Sequence, residues 1–162
     1  MIFAKIDFIN LLPFHIYIKK NIHSNQLKAI IEYKKSYPSF INNKFKKRKV
    51  DSAFISSIAS RNEKNLDFGI IAKNEVLSVL LIQGIEEDDF QSQTSNALAK
   101  VLGLKGKVLI GDKALRFFHD NQNLEKYDLA KEWKNKYNLP FVFAVLCFNK
   151  NKIRLEKLTK KF

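Results

Sequence analysis

Polar side chains recur at four points where a predicted strand gives way to a helix. They are Asn10, the pair Ser56 and Ser57, the pair Thr94 and Ser95, and Asp112. In parallel α/β sheets, ligands bind beyond the carboxyl ends of the strands, where helix N-termini offer backbone N–H groups and partial positive charge. A single such residue is commonly a plain helix cap, but four exceed what capping requires. The pattern predicts a site for a small ligand that carries carboxylate or phosphate groups.

Chemistry that needs a metal, a nucleotide or an activated nucleophile has little support. The three histidines, His15, His23 and His119, lack metal-ligand spacing, and Cys147 has no second cysteine to pair with. The glycines form no phosphate-binding loop, and no serine lies in a GxSxG turn. His15 could act as a base, although a surface or half-buried structural histidine is the more common case. We therefore expect neither a metal nor a cofactor.

The formal net charge of +13 suggests nucleic-acid binding at first sight. Only four of the 29 cations are arginine, however, and arginine supplies the bidentate contacts to bases and phosphates. A solvated lysine coat is the better interpretation. No apolar run approaches the roughly 20 residues that span a bilayer, and residues 1–10 lack the pattern of a signal peptide. We expect a cytoplasmic protein that binds neither nucleic acid nor membrane.

The apolar periodicity predicts alternating strands and helices. Strands are expected at 1–6, 27–33, 50–55, 68–72, 76–83, 107–110 and 139–148. Helices are expected at 14–20, 38–47, 94–102, 128–137 and 153–162, with a further helix beginning at Ser56 and Ser57. Such alternation is typical of an α/β fold with mostly parallel sheets flanked by helices.

Several segments resemble one enzyme family. They are DFINLLP at 7–13, VLSVLL at 76–81, SQTS at 92–95, IGDKAL at 110–115, YDL at 127–129, EW at 132–133 and LPFVFA at 139–144. The last three form the most specific block, because its length makes chance agreement very improbable. Together these segments are similar to the chorismate dehydratases, which share the two-lobed fold of type 2 periplasmic binding proteins.

The resemblance implies an activity. Chorismate, a dianion, would lose water to give 3-[(1-carboxyvinyl)oxy]benzoate on the futalosine route to menaquinone. Losing the ring hydroxyl and a ring proton creates an aromatic ring, so the protein needs only to orient the carboxylates, exclude water and assist departure of the hydroxyl. Neutral donors suffice for this, without metal or cofactor.

The resemblance also assigns roles to individual residues. Asn10 and Ser78 are the expected catalytic residues, which contact the reacting ring. The expected substrate-binding residues are Ser56, Ser57, Thr94 and Ser95, and Asp112 is expected to cap a helix or hold the hinge. Whether a protein group or a substrate carboxylate takes the proton stays open.

The family pattern further predicts two lobes, 1–79 with 144–162 and a smaller lobe of 80–143. The stretch between Gln83 and Ser92 is short and acidic, where relatives usually carry another strand. The chain stops where relatives continue with further helices, so we expect a C-terminally truncated form. Two alternatives are a binding module of the same fold that performs no chemistry and the sister 1,4-dihydroxy-6-naphthoate synthase. The binding module ranks lower because residues 1–10 lack a signal-peptide pattern and the LPFVFA segment favours the enzyme family, and the synthase ranks lower because the SQTS and IGDKAL segments fit the dehydratases better.

Overall fold

The computed structural model describes residues 2–33, 35–160 and 162. The chain forms two compact units, Met1–Gly69 with Ala144–Phe162, and Ile70–Phe143, here called unit 1 and unit 2. The strands are β1 (Phe3–Ala4), β2 (Ser52–Ser56), β3 (Asn65–Ala72), β4 (Val79–Ile82), β5 (Lys107–Ile110), β6 (Lys126–Asp128) and β7 (Phe141–Phe148). The helices are α1 (Leu12–Asn21), α2 (Asn25–Tyr33), α3 (Pro38–Lys46), α4 (Gln93–Leu102), α5 (Gly111–Asp120), α6 (Leu129–Tyr137) and α7 (Lys152–Thr159). The lobe boundaries expected from the sequence stay a prediction.

Unit 1 is built around a sheet with the strand order β1-β2-β7-β3. The central strand β2 is buried along its whole length, which suits its run of small and apolar residues. Phe14 of α1 packs edge to face on Phe54 of β2, with ring centroids 5.0 Å apart, and lies 5.4 Å from the ring of Phe68. These aromatic contacts hold α1 against the sheet.

Unit 2 is built around a second sheet with the strand order β5-β4-β6. Leu80 and Leu81 of β4, Val108 of β5 and Leu129 of α6 are almost fully buried and form its core. Helix α4 begins at the cap residue Ser92 and ends at Gly103, whose φ of 75° is the left-handed conformation that glycine adopts without steric cost.

The α/β class is as expected, but the expectation of mostly parallel sheets is wrong. β1 and β2 are parallel, whereas β2 and β7 are antiparallel. β4 is antiparallel to both of its neighbours, β5 and β6. Alternation of strands and helices along the chain does not fix strand direction, because a helix can also connect strands that run in opposite directions.

Two expected elements in unit 1 differ from the structure. Residues 27–33, expected as a strand, belong to α2, because Leu27, Ile30 and Ile31 have helical spacing and Ser24 accepts a hydrogen bond from the Leu27 backbone N–H. No helix begins at Ser56 and Ser57. Ser56 ends β2, and the polar residues 60–65 that follow the turn offer no apolar face for a helix to bury.

Other expectations need smaller changes. The first strand is short, and its first expected residue, Met1, lies outside the described residues. Helix α5 and the three-residue strand β6 were not delimited from the sequence. Strand β4 begins at Val79, so Ser78 precedes the strand in which it was expected.

Charge is divided unevenly between the units. The ranges 1–69 and 144–162 contain 19 Lys and Arg against 6 Asp and Glu, whereas 70–143 contains 10 of each sign. The whole formal charge of +13 therefore belongs to unit 1. In unit 2 the charges pair on the surface, as in Lys107 with Glu87 (2.7 Å) and Lys100 with Asp88 (3.1 Å).

Candidate functional site

In unit 2, the pairing of β4 with β5 places Ser78 beside the turn that opens α5. Val79 pairs with Ile110, and the Gly111 backbone N–H donates to the Ser78 carbonyl at 2.8 Å. Ser78 is 6% exposed. Asp112 follows directly in the first turn of α5, where a negative charge stabilises the positive end of the helix dipole. The expected residues Ser78 and Asp112 are therefore neighbours at one edge of this sheet.

The start of α4 holds the expected residues Thr94 and Ser95. The N-cap is Ser92, whose Oγ accepts a hydrogen bond from the Ser95 backbone N–H at 3.2 Å and lies 3.0 Å from the Ser95 Oγ. Thr94 and Ser95 are 3% and 2% exposed and belong to the first helical turn. The residue that caps the helix is Ser92, and Thr94 and Ser95 follow it at the helix start, where the sequence placed them. A helix N-terminus lined with hydroxyl groups is suited to an anion.

A buried carboxylate connects the start of α4 to the end of β5. Asp89 Oδ2 accepts from the Ile110 backbone N–H at 3.1 Å and lies 2.5 Å from Lys113 Nζ. Its backbone exchanges two hydrogen bonds with the Asn96 side chain, each 2.9 Å long. Asp89 therefore ties residues 92–96 to residues 110–113.

A second carboxylate, Asp128, fixes the segment that leads into Ser78. Its Oδ2 accepts from the backbone N–H groups of Val76 (2.9 Å) and Leu77 (2.7 Å). Its Oδ1 caps α6 by accepting from Ala130 and Lys131. Leu77 has a φ of 57°, a left-handed conformation that is costly for leucine. Asp128 thus sets an unusual backbone turn immediately before Ser78.

One hydrogen-bonded network therefore brings together the unit 2 residues expected from the sequence. It runs from Ser78 through Gly111 and Ile110 to Asp89, and from there to the start of α4. Six of the buried polar residues in unit 2 lie in this small region: Ser78, Asp89, Ser92, Thr94, Ser95 and Asn96. Buried polar groups are costly unless they are hydrogen-bonded, so such a concentration marks a candidate binding region.

In unit 1, Asn10 lies in a 3₁₀ helix, Ile9–Leu11, directly before α1. Its side chain is exposed, and Pro13 follows in the first turn of α1, where proline is favoured. The position after the short strand β1 is the one expected from the sequence.

Ser56 is buried at the end of β2 and is held by a residue that the sequence did not indicate. Asn42 of α3 donates from Nδ2 to the Ser56 Oγ at 2.9 Å, and its Oδ1 accepts from the Ser56 backbone N–H at 3.2 Å. Ser57 is half-buried, and its carbonyl accepts from the Ser60 Oγ. Among the described residues, the hydrogen bonds do not join Asn10 to Ser56 or Ser57.

His15 is a buried structural residue rather than the surface or half-buried one expected. It is 2% exposed, and burial lowers its pKa to about 4. At neutral pH the ring is uncharged, and Nε2 lies 3.1 Å from the Ile6 carbonyl. Burial also raises the pKa of the Cys147 thiol to about 12, so this thiol stays protonated and is a poor nucleophile.

Within residues 2–33, 35–160 and 162, no three His, Cys, Asp or Glu side chains are grouped so that they could hold a metal ion. None of the helices over the same residues is long and apolar enough to cross a membrane.

The residues that sequence reasoning missed are mainly the ones that hold the others in place: Asn42, Asp89, Ser92, Asn96 and Asp128. Two had a local signal. Ser92 stands three residues before Ser95, the spacing of an N-cap and the N–H it binds, and Asp128 immediately precedes an amphipathic helix. Asn42 and Asp89 had none for their long-range role, because Ser56 and Ile110, the residues that they bind there, are 14 and 21 positions away in the sequence.

The chain is similar in sequence and structure to known proteins. A family model described as menaquinone biosynthesis matches residues 91–162. A chorismate dehydratase of Campylobacter jejuni subsp. jejuni is 49% identical over 166 residues, which cover 100% of this chain and 74% of that protein. A crystal structure of a protein from Archaeoglobus fulgidus superposes with a TM-score of 0.49 and 13% identity, covering 78% of this chain and 60% of that one.

The fold and the site define a small α/β protein in which buried hydroxyl groups and a helix N-terminus are organised by carboxylates. The match over the full length of the chain makes the identification specific. The chain belongs to the chorismate dehydratase family.

Proposed function

We propose that this chain eliminates water from chorismate and forms 3-[(1-carboxyvinyl)oxy]benzoate in menaquinone biosynthesis. The 49% identity to a chorismate dehydratase across the whole chain is the observation that carries the proposal. The proposal includes the two-lobed, periplasmic-binding-protein-like fold of the family.

Asn10 and Ser78 act on the reacting ring in this proposal. An amide and a hydroxyl can each donate to the departing ring hydroxyl, which assists loss of water without a charged group. Asn10 is exposed and available to a ligand. Ser78 stands on a backbone that Asp128 and Gly111 fix, which favours a defined geometry for its hydroxyl.

The two carboxylates of chorismate are bound by neutral donors in this proposal. Thr94 and Ser95, in the first turn of α4, hold one carboxylate with the help of the positive end of the helix dipole. Ser56 and Ser57 contribute from the end of β2, and Asp112 stays a structural residue of α5. Neutral donors fit a dianion, because an unpaired anion close to it would repel it.

A substrate carboxylate is the proposed proton acceptor. His15 is buried and bonded to a backbone carbonyl, and the Asp89 and Asp128 carboxylates are occupied by N–H donors or Lys113. The substrate then supplies both parts of the water that leaves. One ring proton passes to the substrate carboxylate, the ring hydroxyl departs, the two are lost together as water, and the ring becomes aromatic.

The test is incubation of the purified protein with chorismate, with product formation followed by its aromatic absorbance. We expect Asn10→Ala and Ser78→Ala each to lower kcat about 100-fold or more, the size of effect seen when one donor to a developing charge is removed. Thermal unfolding should show that both variants remain folded.

Two variants serve as matched controls. Asn43→Ala replaces an exposed asparagine on α3, and Ser52→Ala replaces a buried serine whose Oγ has no hydrogen-bond partner among the residues that the structure describes. Both should keep wild-type turnover. A protein that leaves chorismate unchanged would refute the activity, whereas wild-type turnover by both Asn10→Ala and Ser78→Ala would refute only the site.

A further inference from the structure

The side chain of Asp89 is fully buried, yet it does not belong to the hydrophobic core. Its side chain has 0% exposure, whereas the neighbouring Asp88 is 57% exposed. A buried carboxylate is very costly to desolvate unless its oxygens are hydrogen-bonded or paired with a cation. The Asp89 carboxylate therefore depends on hydrogen bonds and a nearby cation, and the positions of these partners indicate its role.

The Asp89 carboxylate gathers three groups from two separate segments. Oδ1 accepts from the Gln91 backbone N–H at 3.0 Å, and this bond shapes the turn that leads into α4. Oδ2 accepts from the Ile110 backbone N–H at 3.1 Å and pairs with Lys113 Nζ at 2.5 Å. Lys113 is itself held over the Phe90 ring, 5.3 Å from its centroid. The negative charge is thus neutralised locally.

The Asp89 backbone is fastened to the first turns of α4. Asn96 Oδ1 accepts from the Asp89 N–H, and Asn96 Nδ2 donates to the Asp89 carbonyl. The same carbonyl accepts from the Ser92 N–H at 3.2 Å. A displacement of Asp89 would therefore move Ser92, the cap that positions Ser95.

Asp89 thus connects the start of α4 to the end of β5, where Gly111 binds the Ser78 carbonyl. We infer that Asp89 is a positioning residue for chorismate binding, which holds Thr94 and Ser95 in register with the segment containing Ser78 and does not itself touch the substrate. The inference rests on the proposed function of this site. An error of about 1 Å in such a register can cost as much as 100-fold in activity.

The expected signature is a change in KM that exceeds the change in kcat. In the proposed function, the carboxylate held by Thr94 and Ser95 is the one that does not accept the ring proton. Misplacement of these two residues then weakens binding of the ground state and the transition state together, which raises KM and spares kcat. We expect Asp89→Asn to raise KM for chorismate about 10-fold and to change kcat less than about 3-fold. A purely structural Asp89 would lower the unfolding temperature and leave both constants unchanged well below it.

A second variant keeps the test decisive if Asp89→Asn does not fold. Asn96→Ala removes both bonds between α4 and the Asp89 backbone and places a strong helix former in α4. It should raise KM in the same way. Asp88→Asn is the matched control, because the exposed Asp88 carboxylate pairs with Lys100 on the surface. This variant should keep wild-type KM and kcat.

The outcomes separate this inference from the proposed function. Wild-type KM in every folded variant overturns the positioning role while the activity stands. If the wild-type protein binds chorismate in calorimetry without turnover, the activity fails, and weaker binding by the two variants still supports the positioning role. If the wild-type protein does not bind chorismate, both fall.

Discussion

His15 shows how burial turns a titratable residue into a structural one. Its ring packs edge on against Phe3 and Phe14, and Nε2 is bonded to the Ile6 carbonyl. Burial lowers the pKa to about 4 in the folded protein, from 6.5. The unfolded chain therefore binds an extra proton between these values, and folding stability is complete above about pH 6.5 and falls as the pH drops toward about 4.

A glutamine at this position should remove that dependence. The amide of His15→Gln can still donate to the Ile6 carbonyl, but it does not titrate. We expect the loss in free energy of unfolding between about pH 7 and about pH 4.5 to be smaller in the variant by about 2 kcal/mol. Urea unfolding at the two pH values measures this difference, and equal losses in both proteins would contradict it.

At the scale of elements, the junction between β4 and β5 depends on a glycine. A Cβ at Gly106 would lie 2.1 Å from the Ile82 carbonyl oxygen, which belongs to the paired strand and cannot move without breaking the ladder. Gly103, three residues earlier, also has a positive φ, but nothing lies within 4 Å of its would-be Cβ. The two glycines therefore differ in the room available for a side chain: Gly103 has open space around its Cβ position, whereas Gly106 has none.

This difference predicts unequal costs for the same substitution. Gly103→Ala should lower the free energy of unfolding by about 1–2 kcal/mol, the cost of the left-handed conformation in alanine. Gly106→Ala should cost at least about 3 kcal/mol or prevent folding, because the clash is with backbone. Thermal or urea unfolding of both variants provides the comparison, and equal costs would contradict the argument.

The elements also show what the sequence could and could not determine. Local signals predicted β5, α3 and α6 closely, because Pro38, Asp128 and the apolar run 108–110 mark their limits. The helical spacing in α2 was mistaken for a strand, since short apolar segments are ambiguous. Strand direction and the bond between Asn42 and Ser56 depend on partners far away in the chain, so local pattern did not reveal them.

For the whole molecule, the uneven charge should affect how chorismate arrives. Unit 1 carries the entire +13, and a dianion is attracted to such a field over roughly one Debye length, about 10 Å at 0.1 M salt. The attraction raises the rate at which chorismate and protein associate but does not change the bound complex. It should therefore raise kcat/KM and leave kcat unchanged.

Raising NaCl from about 20 mM to about 500 mM should therefore lower kcat/KM several-fold at constant kcat, because salt screens the field. The triple variant Lys46→Gln, Lys47→Gln, Lys49→Gln removes three exposed cations at the end of α3 and should show a weaker salt dependence. A kcat/KM that stays flat across this range in the wild-type protein would contradict the prediction.

From the left-handed turn at Leu77 we expect activity to be lost on heating before the fold is lost. Leucine loses about 1–2 kcal/mol in this conformation, and the Asp128 carboxylate is what keeps it there. As the temperature rises, releasing this turn relieves strain at the expense of two hydrogen bonds, so it needs far less energy than melting the sheet. Activity that depends on Ser78 should then fade reversibly several degrees below the loss of secondary structure, and it should return on cooling.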